Sequence, residues 1–85
     1  MAKKFTEKDI KDGVLEAIRE TIMKEWDSLN ASFTVDMEAD SLDLVELAVK
    51  IEGTFGISIA DPEFDAVSTP QMAIDFVTTK LMARA

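Results

Sequence analysis

The chain has no cysteine and no histidine, a single tryptophan, three glycines and two prolines in 85 residues. Without cysteine there is no disulfide, no thiolate nucleophile and no thiolate metal site. Without histidine there is no imidazole base and no histidine-ligated zinc. Long apolar runs are also missing. Nothing approaches the roughly 18 consecutive apolar residues of a membrane span, and Met1-Ala2-Lys3-Lys4-Phe5-Thr6 opens without the apolar stretch of a signal peptide. The expected location is therefore cytoplasmic. Basic charge is scarce, with 9 Lys+Arg against 17 Asp+Glu and a net charge of -8. That balance argues against nucleic acid or an anionic lipid surface as partner, and its mutual repulsion favours a monomer.

What is present suits a small globular domain. Hydrophobic residues make up 47% of the chain and charged residues 31%, enough to fill one core and cover it. At this length the expectation is a single domain over 1–85. The acids are unevenly spread. From Glu25 to Thr79 the only basic residue is Lys50, set against twelve acids, so this central segment suggests a face for basic partners.

Periodicity predicts helices. Thr6 is a plausible N-cap with Asp9 three residues on, and Ile10, Val14, Ile18 and Ile22 then recur every four residues, so a helix is predicted over 7–24. Gly13 costs it about 1 kcal/mol relative to alanine without ending it. A long loop should follow, from Asp27 through about Asp40, with Phe33 and Val35 tucked into the core. A second helix should be capped by Asp40 or Ser41 and carry Leu42, Val45, Ala48, Val49 and Ile51 as far as Gly53. Gly56-Ile57-Ser58-Ile59 alternates like a strand but has no partner strand, and is predicted to be an extended loop. Asp61-Pro62 reads as a cap and first-turn proline for a short helix over 61–66, with Phe64 and Val67 inward. Thr69-Pro70 repeats that signature for a last helix through about 82, with Ala73, Ile74, Val77 and Leu81 on one face. The predicted fold is an all-α, small four-helix bundle of three long helices and one short helix.

Within this pattern Ser41 stands at the mouth of an acidic helix, between Asp40 and the Leu42-Asp43 pair. A serine there is ordinarily a cap. This one has no base in the chain suited to activate it, which makes it a poor nucleophilic catalyst. It is a better acceptor, because helix N–H groups and the helix dipole favour an attached phosphate.

The Asp40-Ser41-Leu42-Asp43 run resembles the modification motif of acyl carrier proteins, in which the serine bears 4'-phosphopantetheine. The resemblance continues through Asn30-Ala31-Ser32-Phe33, Val45-Glu46-Leu47, Phe55, Ile59, Asp61 and Ala73-Ile74-Asp75-Phe76. It implies the same bundle and a non-catalytic role. An acyl group would be held as a thioester on a phosphopantetheine arm, donated by coenzyme A and attached to Ser41, and presented to fatty acid or related lipid and polyketide enzymes. The partners implied are a phosphopantetheinyl transferase, then acyltransferases and ketosynthases with basic docking patches. They would meet the second helix at Asp40, Leu42, Asp43, Glu46, Val49 and Glu52. The acyl pocket implied is Phe33, Val45, Ala48, Ile51, Phe64, Val67 and Phe76. No metal is implied. The chain departs from the family pattern at Glu38, where glycine is usual, and at Met37, where leucine is usual. It departs again at Leu44, at Lys50 in the acidic face, at Gly53-Thr54, and at Phe64, where a small residue is common. These departures point to a dedicated carrier for a specialised pathway as an alternative to the fatty acid carrier.

Two other readings compete. An EF-hand loop starting at Asp36 would require glycine where Ser41 stands and glutamate where Leu47 stands, and both fail. An unmodified acidic interaction domain would need the charge but not Ser41. A two-carboxylate enzyme fits poorly, since a chain this small leaves little room for a deep cleft.

Overall fold

The computed structural model describes residues 5–26 and 28–83, the side chains of Asp61, Pro62 and Ala83 excepted. Among the described residues four segments are helical: α1 (Glu7–Thr21), α2 (Ser41–Phe55), α3 (Asp61–Phe64) and α4 (Pro70–Ala83). No strand occurs among the described residues, so the all-α expectation holds. α3 is a four-residue turn, too short to bury a face of its own. Packing is carried by α1, which lies against both α2 and α4.

α1 starts as predicted. The Thr6 hydroxyl accepts the Asp9 N–H, and the Asp9 carboxylate accepts the Thr6 N–H, both at 3.1 Å. It ends at Thr21, three residues short of the predicted limit, because the paired β-branched residues Thr21 and Ile22 weaken the last turn. Ile22 turns extended while remaining buried, and its N–H still donates to the Ile18 carbonyl at 2.7 Å. Ile10, Val14, Ala17 and Ile18 form the buried stripe.

α2 corrects two expectations. It runs through Gly53 to Phe55 and stops at Gly56, whose left-handed backbone (φ 66°, ψ 37°) supplies the C-cap. Its core-facing stripe is Leu47, Ile51 and Phe55, with Leu44 and Ala48 partly buried. Leu42, Val45 and Val49 lie on another face and are exposed by 63%, 53% and 61%. Gly13 in α1 lets the two helices approach, since a Cβ there would stand 2.6 Å from Cζ of Phe55. The Phe55 ring also meets Phe5 edge-on, with centroids 5.1 Å apart. At the helix flank Lys50 bridges to Glu20 at 2.7 Å.

The α1–α2 loop is ordered by its own turns, with the predicted loop residue Asp27 outside the described residues. Ser32 anchors a reversal: its N–H donates to the Asp36 carboxylate at 2.7 Å, and its carbonyl accepts the N–H groups of Asp36 and Met37. Phe33, Met37 and Ala39 point inward. Val35, predicted to be buried, is 76% exposed because it sits at the tip of this reversal.

The extended segment 57–60 buries Ile57 and Ile59 alternately, as the two-residue pattern implies. α3 begins at Asp61 and ends at Phe64, two residues before the predicted limit. The capping role predicted for Asp61 and the first-turn role of Pro62 rest on side chains outside the described ones. Glu63 closes the start of this turn by accepting the Ala60 N–H at 3.1 Å. At α4 the Thr69 hydroxyl accepts the Met72 N–H at 3.2 Å, and Pro70 opens the helix fully buried. Phe64, Val67, Ala73 and Val77 complete the core.

Candidate functional site

The approach to Ser41 is fixed from both sides. Upstream, the Ala39 N–H donates to the Phe33 carbonyl at 2.7 Å and the Phe33 N–H to the Ser68 carbonyl at 2.9 Å. The loop before the serine is thereby fastened to the segment before α4. Between the buried residues Met37 and Ala39, Glu38 adopts φ 56°, the left-handed region. Downstream, Asp40 is the N-cap: its carboxylate accepts the Asp43 N–H at 2.9 Å, and the Asp43 carboxylate accepts the Asp40 N–H at 3.2 Å. This reciprocal pair is a capping box written with two aspartates.

The consequence for Ser41 is chemical. It is the first residue of a 15-residue helix and is exposed, while the capping duty falls on Asp40. Its hydroxyl is left uncommitted at the positive end of the helix, where backbone N–H groups and the helix dipole favour an anionic substituent. A phosphodiester on Ser41 Oγ therefore fits the residues present. Among the described residues no three acidic side chains gather as metal ligands.

The surface beside Ser41 pairs apolar and acidic groups. Leu42, Val45 and Val49 recur at helical spacing and are all exposed, with Glu46 exposed among them and Asp43 half-buried at their start. Glu52 differs from these acids. It is half-buried, and its carboxylate accepts the Ile59 N–H at 2.8 Å, which ties the extended segment back onto α2. The sequence offered no signal for this contact between residues seven apart.

The seven residues expected around an acyl chain are dispersed. Phe33 and Ile51 are fully buried, Phe64 and Val67 nearly so, Ala48 and Phe76 are partly buried, and Val45 faces solvent. Val67 and Phe76 do meet in an open groove of about 590 Å³ beside α4, lined also by Ala66, Met72, Asp75 and Thr79, with Glu63 and Lys80. Lys80 Nζ binds the Glu63 carboxylate at 2.6 Å across that groove. This hydrogen bond first, and that from the Ala60 N–H second, hold the Glu63 carboxyl below its ordinary value of 4.5. The sequence reading missed this pair, whose members are seventeen positions apart.

Comparison with known proteins gives a consistent result. The phosphopantetheine attachment site family matches residues 12–77. An acyl carrier protein of Petrotoga mobilis is 37% identical over 79 residues, covering 91% of this chain and 93% of the relative. One of Rubrobacter xylanophilus is 51% identical over 47 residues, 55% of this chain and 58% of the relative. Among solved structures, the 3,7-dioxo-octyl actinorhodin acyl carrier protein from Streptomyces coelicolor superposes with a TM-score of 0.69 at 32% identity, covering all of both chains.

Proposed function

The chain belongs to the acyl carrier protein family, whose prosthetic group is a covalent 4'-phosphopantetheine, and from that premise we propose that Ser41 is the residue that bears it. The observation that carries this reading is the division of labour at the start of α2. Asp40 caps the helix and leaves the exposed Ser41 hydroxyl free for substitution. When attached, the group supplies a flexible arm ending in a thiol that holds an acyl chain as a thioester. The chain itself contributes Oγ of Ser41, the helix end that favours the phosphate, and a docking face. It contributes no base, so removal of the serine proton belongs to the transferase.

Leu42, Val45 and Val49 with Asp43 and Glu46 form the docking face on this reading, because exposed apolar anchors ringed by acids suit a basic patch with an apolar centre. Phosphopantetheinyl transferase, acyltransferases and ketosynthases would meet it in turn. The protein works as a single cytoplasmic, monomeric carrier domain without catalysis of its own. The α3 turn counts as the short member of a four-helix bundle. The acyl chain shelters against the bundle, for which the groove at Val67 and Phe76 is the available apolar surface. A specialised pathway is the second reading, favoured by the likeness over the whole chain to actinorhodin carriers of Streptomyces coelicolor, one of which bears an acetyl group and another a 3,7-dioxo-octyl group.

The test is intact mass after incubation with coenzyme A, magnesium and a phosphopantetheinyl transferase. One phosphopantetheine should be added to the wild type and none to Ser41→Ala. Since Asp40 holds the cap, Ser41→Ala should also stay within about 0.5 kcal/mol of wild-type stability, whereas Asp40→Ala should lose about 1 kcal/mol. An unmodified wild type under conditions that load other carriers would overturn the assignment.

A further inference from the structure

The α3 turn is joined to α4 by two contacts between neighbouring residues. The Phe64 ring, 5% exposed, meets Phe76 edge-on with centroids 5.9 Å apart and planes at 86°. Glu63, the next residue back, holds Lys80 at 2.6 Å, and Lys80 Nζ lies 5.7 Å from the Phe76 ring centre. Phe76 is thus contacted by a buried ring and by a paired ammonium. It lines the groove of about 590 Å³, together with Ala66, Val67 and Met72. Phe64 does not line it, because it packs against Phe76 from the core side.

The groove is also tied to the modification site. Val67 precedes Ser68, whose carbonyl accepts the Phe33 N–H, and the Phe33 carbonyl in turn accepts the N–H of Ala39, two residues before Ser41. An arm on Ser41 therefore starts two residues from a loop that is hydrogen-bonded, through Phe33, to the segment forming one wall of the groove. The groove's apolar floor suits the hydrocarbon body of an acyl chain on that arm.

We propose that Phe64 is a specificity-determining residue: braced on Phe76, it closes the groove floor to the core and limits the sheltered cargo to short acyl chains. The inference rests on the reading that cargo shelters against the bundle. A chain passing inward would have to part an edge-to-face ring pair and displace the turn held by Glu63 and Lys80. A longer chain instead leaves its far methylenes in water.

The experiment is the melting temperature of the protein loaded at Ser41 with saturated acyl groups from acetyl to dodecanoyl, each compared with its own unloaded holo form. Because a domain this small has little stability in reserve, Phe64→Leu is measured beside Phe64→Ala. In the wild type the gain should grow by at most roughly 3–6 °C per sheltered methylene and level off at a short chain. In both variants the levelling should move to longer chains, which a merely structural loss would not do. A flat wild-type series would overturn the sheltering itself and the inference with it. A wild-type gain that levels off at the same length in both variants, or that keeps climbing to dodecanoyl, would leave sheltering intact and remove Phe64 from the control of length.

Discussion

Glu38 shows how one residue can carry strain that its neighbours enforce. Among the described residues it is the non-glycine with positive φ, at a position where the family resemblance leads one to expect glycine. That departure is visible in the sequence, but the sequence leaves two outcomes open, a rerouted turn or a strained one. The structure takes the second. Met37 and Ala39 are buried on either side, and the Ala39 N–H is fixed to Phe33, so the backbone between them has no freedom to relax. A left-handed conformation costs an L-residue about 1–2 kcal/mol, while the greater chain entropy of glycine offsets about 0.5–1 kcal/mol of any relief. The exposed Glu38 side chain gives up no packing. Glu38→Gly should therefore stabilise the protein by about 0.5–1 kcal/mol in chemical denaturation while leaving phosphopantetheine transfer unchanged. A loss of stability would mean that the glutamate makes a contact outweighing its backbone strain.

At the scale of elements, helix starts were legible, while the ends of α1, α2 and α3 were not. Thr6, Asp40 and Thr69 each cap as a short polar side chain should, because the signal is local: one side chain reaches two or three residues on. Ends depend on what the helix packs against. Gly53 reads as a stop, yet α2 continues past it because Phe55 must reach the space above Gly13, and Gly56 adopts the left-handed cap instead. The two glycines have opposite roles that only packing distinguishes. A Cβ at Gly53 would meet nothing within 4 Å, whereas one at Gly13 would press a ring already held by Phe5. Gly53→Ala should raise stability by about 0.5–1 kcal/mol, the usual helix-interior difference. Gly13→Ala gains the same helical preference but adds about 1–3 kcal/mol of overpacking, for a net loss of about 1 kcal/mol. Denaturant midpoints of the two variants should move in opposite directions, and a rise for both would show that the Phe55 ring shifts freely.

For the whole molecule, the family was legible because its motif is confined to consecutive residues, Asp40 to Asp43. The surfaces around it were only partly so. Which of the apolar positions in α2 face out depends on where α1 sits, and the acids that look alike in sequence do different work. Glu52 holds the Ile59 N–H, and Asp43 completes the capping box, while Glu46 is exposed with its charge turned to solvent. A net charge of -8 draws basic partners from a distance, so salt should weaken every encounter through screening beyond about 8–10 Å. Screening alone does not locate the docking face; a site-specific reversal does. Glu46→Lys should slow phosphopantetheine transfer with little change in stability, and Glu7→Lys, on the first turn of α1, should leave transfer nearly unchanged. Asp43→Lys should slow transfer too, but with about 1 kcal/mol lost from the cap, which makes it a poorer probe. Transfer rates at several salt concentrations, read beside melting curves, separate the two effects. Equal slowing by Glu46→Lys and Glu7→Lys would mean that partners respond to total charge and that α2 is not the recognition face.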